Sequence, residues 1–240
     1  MWDELVTEFT KTFIRDNRWK VFLQGFENTM MITLVAALIG IATGVFVSLV
    51  HQLASGKRSA KTNGAAYWII KILDKICQIY VAVMRGTPLA VQLTIMAFII
   101  MAGYSNKMIV CFVAFGINSG AYVSEVIRGG IESVDIGQTE AGRSLGLSRL
   151  STLRMIVLPQ AIKSILPALC NEGIAILKET SIVGLIAVVD LTRASDLVRS
   201  RTMSPYFPLL SVALVYFILV YGLSKAVGVL ERRMKRGDRS

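Results

Sequence analysis

Glu172, Lys178 and Glu179 stand in or at the end of a long apolar stretch, Met155–Leu177, and Thr180 follows them. An ionisable side chain inside a membrane segment costs roughly 2.5–3.5 kcal/mol on insertion scales, so such groups face one another, a cavity or a partner subunit. On a continuous helix Glu172 and Glu179 are seven residues apart and share a face, with Lys178 about 100° away. Two uses fit: the lining of a polar path, or an internal ion pair of Lys178 with Glu172 or Glu125. Other chemistry is scarce. The single histidine, His51, ends an apolar run, and Cys77, Cys111 and Cys170 lie far apart within apolar segments, where they read as small buried hydrophobes. No metal site is expected from this inventory. A membrane-embedded enzyme would need a convergent nucleophile and base, and none is in view. No GxxxxGK[ST] stretch occurs, so any energy from ATP must come from another polypeptide.

These residues need a membrane bundle to hold them. Of the 240 residues 54% are hydrophobic and 18% charged, and the apolar ones come in long runs, which identifies an all-α integral membrane protein. The net charge of +10 gathers at the ends of apolar segments and in the C-terminal ERRMKRGDRS, as the cytoplasmic flanks of membrane helices do. Aromatics interleaved with basic residues, which a single-strand nucleic-acid binder needs, are missing. The stretch MWDELVTEFTKTF is acidic and mixed and does not read as a cleaved signal peptide.

A hydrocarbon core of about 30 Å takes roughly 20 apolar residues as helix. Phe26–Leu53, Met108–Ile127, Met155–Leu177 and Tyr206–Leu230 qualify. Between Ala65 and Gly103 the run is broken by Arg85, Gly86, Thr87 and Pro88. Before the break, Lys71, Asp74, Lys75 and Gln78 fall on one helix face, which predicts an amphipathic helix at the interface. The break is then the corner where this helix becomes a span over about 88–103, with Arg85 snorkelling to the interface; a discontinuous helix at a pathway is the other reading. The connectors Ser55–Asn63 and Arg128–Arg154 and the tail are basic, and placing all three in the cytoplasm requires an even number of crossings between the first two. Five spans result, N-terminus outside and C-terminus inside. Residues 1–25 form an interfacial segment, 26–230 the membrane domain with a cytoplasmic loop at about 137–154, and 231–240 a basic tail. Glu125 and Arg128 are placed for a local ion pair.

The stretch TEAGRSLGLSRLSTLRMIVLPQ, Thr139–Gln160, is polar and basic between two of these spans. Glu140 is expected in the first turn of a short helix, Gly146 at a sharp turn, and a second short helix through Leu153. Leu145, Leu147 and Leu150 then offer an apolar surface among Arg143, Arg149 and Arg154. Such a knob suits docking into a cytoplasmic partner; an amphipathic loop resting on the bilayer fits the same pattern.

Glu140-Ala141-Gly142, Gly146, Ile156, Leu158 and Pro159 reproduce the spacing EAA-x3-G-x9-I-x-L-P, with Gly in place of the usual third Ala. This resembles the cytoplasmic loop of permease subunits of binding-protein-dependent ABC importers. RGTPLAVQL, GAYVSEVIRGGIESVDIGQTEAGRSLG, LPQAIKSILPAL and LKETSIVGLIAVVDL resemble the polar amino acid permeases, the group with histidine, glutamine and arginine importers, over roughly residues 20–230. The resemblance implies a type I five-transmembrane-helix permease core that works as a pair of identical or homologous subunits in the bacterial cell membrane. It implies a cytoplasmic ABC ATPase dimer carrying the ATP and Mg, with no cofactor on this chain, and an extracytoplasmic solute-binding protein. Glu140, Ala141, Gly142, Leu145, Gly146 and Leu147 would belong to the ATPase-coupling site. Glu172, Lys178, Glu179 and Thr180 would line the path of an amino acid, whose ammonium, carboxylate and polar or cationic side chain they could meet. A channel or scaffold, the rival reading, would not depend on an ATPase.

Overall fold

The computed structural model of the chain describes residues 2–55 and 65–236, so most of the basic 55–63 connector and the end of the tail lie outside the described residues. Among the described residues ten α-helices follow one another: α1 Trp2–Phe9, α2 Trp19–Ala54, α3 Ala65–Gly86, α4 Leu89–Ile95, α5 Lys107–Glu132, α6 Ile136–Ser144, α7 Arg149–Thr152, α8 Leu158–Glu179, α9 Leu191–Thr202 and α10 Phe207–Arg236. A π-turn, Met96–Ile100, prolongs α4, another, Leu153–Val157, joins α7 to α8, and a 3-10 turn, Thr180–Ile186, follows α8.

Among the described residues four stretches are long and apolar enough to cross a membrane: α2, α5, the run Arg149–Ile186, and α10. The fifth crossing differs from the sequence expectation. Leu89–Ile100 has only the 7 residues of α4 and the 5 of its π-turn, about 18 Å of helix against a core of about 30 Å. It is paired instead with α3 across a 111° bend at Thr87 and Pro88. Because α2 and α5 run parallel, as their contacts show below, one net crossing must separate them, and the bent pair supplies it. The expected span over 88–103 is thus the second limb of a broken one.

Packing divides the chain into two units. The first comprises Met1–Ala37, Leu89–Phe115 and Gly173–Ser224. Its larger core gathers Ile32, Leu93, Ala97, Val110, Phe115, Ile176 and Val183. Asp190, fully buried, caps α9 by accepting from the backbone of Thr192 and Arg193 at 2.9 and 3.0 Å. Gly25 of α2 approaches so closely that a Cβ there would sit 2.6 Å from the Asp190 carbonyl oxygen.

The second unit comprises Leu38–Pro88, Gly116–Glu172 and Lys225–Ser240. Two small-xxx-small pairs, Gly40/Gly44 on α2 and Gly116/Gly120 on α5, let these helices touch backbone to backbone. A Cβ on Gly40 would lie 2.6 Å from Ser119 Oγ, one on Gly44 2.4 Å from Val123, and one on Gly120 2.0 Å from Thr43 Oγ1. Contacts that rise together in number make α2 and α5 parallel. Against them α3 runs antiparallel to α2: Asp74 meets His51, Cys77 packs on Val47 and Val50, and the Tyr80 hydroxyl donates to the Ile117 carbonyl.

The polar stripe of α3 divides: Lys71, Lys75 and Gln78 are exposed, and Asp74 alone turns inward. The helix's exposed face carries Trp68, Ile69, Ile72, Ile76 and Ile79, whereas Asp74 is only 7% exposed. Asp74 accepts from Gln78 Nε2 at 2.9 Å and stands 2.9 Å from His51 Nδ1, so burial does not leave the carboxylate unsatisfied. It is the antiparallel run of α3 along the membrane helix α2, together with its pairing with α4, that corrects the interfacial-helix expectation. A period-3.6 polar stripe does not say which medium it faces.

Candidate functional site

The motif residues build a jointed finger. Asp135 caps α6, accepting from Gly137 N at 2.7 Å, so the helix already begins at Ile136 and Glu140 sits in its middle, exposed, rather than in its first turn. α6 ends where Gly146 adopts φ +82°. Leu147 N donates to Gly142 O and Gly146 N to Arg143 O, both at 3.1 Å, which is the Schellman closure and requires a left-handed residue at that position. Arg143 adds a bond from Nη1 to Leu147 O at 2.7 Å. Ser148 then caps α7, accepting from Ser151 N at 3.1 Å.

The second limb is not a separate short helix ending at Leu153. α7 passes through the π-turn Leu153–Val157 into α8 without a break. Pro159 has no N–H to give and its ring crowds the carbonyl one turn back; a wide turn just before it relieves both constraints. The finger's outer limb is therefore rigidly continuous with a membrane helix.

Gly142 is buried between the limbs. A Cβ there would lie 2.7 Å from Thr152 Cγ2 and 2.8 Å from Ile156 Cδ1, so glycine at the third motif position sets how closely α6 lies on α7 and the π-turn. Leu145 and Leu150 are 81% and 71% exposed, with Ala141, Glu140, Arg143 and Arg149 also exposed. Leu147, expected on the same surface, is half-buried. Arg149 Nη1 donates to Ser55 O at 2.9 Å, tying the outer limb to the end of α2.

Sequence reasoning anticipated the Glu125–Arg128 pair but not the chain it belongs to. Arg85 Nη1 is 3.0 Å from Glu125 Oε2, Arg128 Nη2 is 2.6 Å from the same oxygen, and Arg128 Nη1 is 3.0 Å from Glu132 Oε1. Glu125 is thus taken up by two arginines. The Arg85 guanidinium also stands 5.6 Å from the centre of the Tyr122 ring, so it is engaged with α5 rather than only extended to an interface. These groups line one side of a cavity of about 470 Å³ whose other walls include Ser48, His51, Asp74 and Gln78. Three of its charges, Glu125, Arg128 and Glu132, lie at intervals of three, four and seven on α5, the one signal by which the sequence could have shown them, and Arg85 meets them from α3.

Of the helix-break residues, Gly86 ends α3, Thr87 Oγ1 donates to Val83 O at 2.8 Å as the helix closes, and Pro88 precedes α4. On α8, Glu172 is half-buried while Lys178 and Glu179 are exposed, and Thr180 is fully buried with its hydroxyl donated to Leu177 O at 2.8 Å. Lys178 borders a smaller cavity of about 240 Å³ with Ser181, Thr192 and Tyr216. Among the described residues no group of three His, Cys, Asp or Glu side chains is placed to hold a metal ion.

Comparison with known proteins gives these features a setting. The putative glutamine transport system permease protein GlnP of Rickettsia typhi is 34% identical over 215 residues, covering 88% of this chain and 92% of that protein. The arginine transport system permease protein ArtQ of Bacillus subtilis is 35% identical over 219 residues, covering 90% and 93%. A chain in the crystal structure of an amino acid ABC transporter with histidines superposes with a TM-score of 0.79 at 37% identity, covering 89% of this chain and 94% of that one. Residues 63–236, which hold the broken helix, the ion chain, the finger and α8, match the family described as binding-protein-dependent transport system inner membrane component. This chain is accordingly a multi-pass membrane transport subunit and belongs to that family.

Proposed function

We propose that the chain is the permease subunit of an ATP-driven, binding-protein-dependent importer of polar or basic amino acids in a bacterial cell membrane. The observation that carries this is the finger: a Schellman-closed joint with exposed Leu145 and Leu150, its outer limb continuous with α8. Glu140, Ala141, Gly142, Leu145, Gly146 and Leu147 form or shape the surface that docks on a separate ATPase. A push on that surface moves α8 directly and α5 through the short link from Glu132 to Asp135. The ATPase is a dimer that holds the ATP and Mg; a second permease subunit, identical or homologous, completes the pore, and a solute-binding protein delivers the amino acid from outside. The N-terminus lies outside and the C-terminus in the cytoplasm, which puts the finger and the basic ends of the spans on the ATPase side. The names of the relatives, glutamine and arginine permeases, support the substrate class.

Glu172, Lys178, Glu179 and Thr180 belong to the substrate path. Glu172 and Glu179 repeat at a seven-residue interval on the continuous helix α8. They are suited to an ammonium or guanidinium, and Lys178 to a carboxylate. Thr180 shapes the end of the path by packing, since its hydroxyl is spent on the helix. The test is uptake by vesicles containing the co-expressed permease, ATPase and binding protein, screened against the common amino acids. Glu172→Gln and Glu179→Gln are each expected to cut uptake about tenfold, the value of one charge-assisted contact, with ATP hydrolysis by the complex retained. Unchanged uptake in both would leave the carboxylates a structural role only. Uptake that needs no ATP would replace the importer reading by that of a channel.

A further inference from the structure

We propose that Arg85, Glu125, Arg128 and Glu132 are positioning residues that carry movement of the finger to the end of the broken helix α3. The inference rests on the finger being the docking site for the ATPase. Glu132 is the last residue of α5, and Ser133, Val134 and Asp135 alone separate it from α6. From there the charges run in one unbroken chain up α5 and across to α3: Glu132 to Arg128 at 3.0 Å, Arg128 to Glu125 at 2.6 Å, Glu125 to Arg85 at 3.0 Å. Arg85 is the penultimate residue of α3, directly before the bend. Any displacement of α6 that draws the end of α5 therefore acts on the residue from which the break begins.

Three features favour a relay over a fixed brace. Two of its links join neighbours on α5, but the third, Arg85 to Glu125, crosses from α3 to α5, so the chain reports the relative position of the two helices. Its side chains range from 26% exposed at Glu125 to 61% at Glu132, which means the bonds can exchange with water as the helices shift. The adjoining cavity of about 470 Å³ gives that water room. Half-exposed ion pairs of this kind also contribute little to stability, so their removal should change coupling before it changes folding.

The experiment is a double-mutant cycle in the reconstituted complex, reading amino acid taken up per ATP hydrolysed. Arg85→Gln and Glu125→Gln are each expected to lower that ratio about tenfold while ATPase co-purification is kept, and the double variant to be no worse than either, because both break the same single link between α3 and α5. Arg85→Lys keeps the charge but not the fork and should recover part of the loss, which a purely steric role would not allow. A normal ratio in Arg85→Gln, or losses that multiply in the double variant, would overturn the relay. Failure of the finger itself is distinguishable, since it removes the ATPase from the membrane, whereas failure of the relay leaves it bound.

Discussion

Gly120→Leu is expected to prevent assembly of the second unit's helices. At this position a Cβ would meet Thr43 Oγ1 at 2.0 Å, the Tyr80 hydroxyl at 2.8 Å and Thr43 Cβ at 2.9 Å. Thr43 is β-branched and already donates to Ile39 O at 2.8 Å, and the Tyr80 hydroxyl is held by the Ile117 carbonyl, so neither neighbour can turn aside cheaply. Overpacking by a few methylenes costs roughly 1–3 kcal/mol in cores that can yield. Here the obstacle stands within a close parallel helix contact, where the backbones themselves would have to part. A loss of about 3 kcal/mol or more is expected, at the upper end of that range. In detergent extracts the variant should run as an aggregate where the parent runs as a single species. Gly129→Leu, at a position with nothing within 4 Å of a Cβ, should behave as the parent.

Leu145→Asp is expected to release the ATPase without unfolding the permease. Leu145 is 81% exposed at the turn of the finger. Its side chain supports nothing in this chain, so a carboxylate there costs the fold little. At a docked interface the same carboxylate must be desolvated with no partner, and a central anchor of this kind is worth about 2 kcal/mol or more, some thirtyfold in affinity. Co-purification of ATPase with the membrane complex should fall accordingly, and ATP-dependent uptake with it, while the permease keeps its melting behaviour. Leu147 makes the contrast: half-buried inside the joint, its replacement by Asp should lower stability before it touches docking.

What could be read from the sequence follows from how local each signal is. The finger was legible because its parts lie within some twenty residues: Gly146 demands a turn, the motif spacing fixes two limbs, and Leu145 and Leu150 flank the joint. Even so the helix start was missed, since Asp135 caps α6 before the motif begins. The five crossings were legible from apolar length and basic flanks, but the second was misplaced. A polar stripe on α3 looks the same whether it faces water or another helix. Only the position of His51, 23 residues earlier, decides that Asp74 turns inward. The glycine pairs Gly40/Gly44 and Gly116/Gly120 were present as patterns on two separate runs, yet nothing local says that they face each other. The ion chain was half legible for the same reason. Glu125, Arg128 and Glu132 are helical neighbours, whereas Arg85 joins them across forty residues of chain.

The central claim, that the finger reaches a cytoplasmic motor, is tested most directly by which side of the membrane it occupies. Arg143→Cys places a thiol on the exposed face of α6, while Cys77 and Cys111 are buried. Cys170 is replaced by serine to remove its background. With a membrane-impermeant thiol reagent, the account predicts labelling in inverted vesicles and none in intact right-side-out vesicles, with bound ATPase protecting the site. Labelling of intact right-side-out vesicles would contradict it.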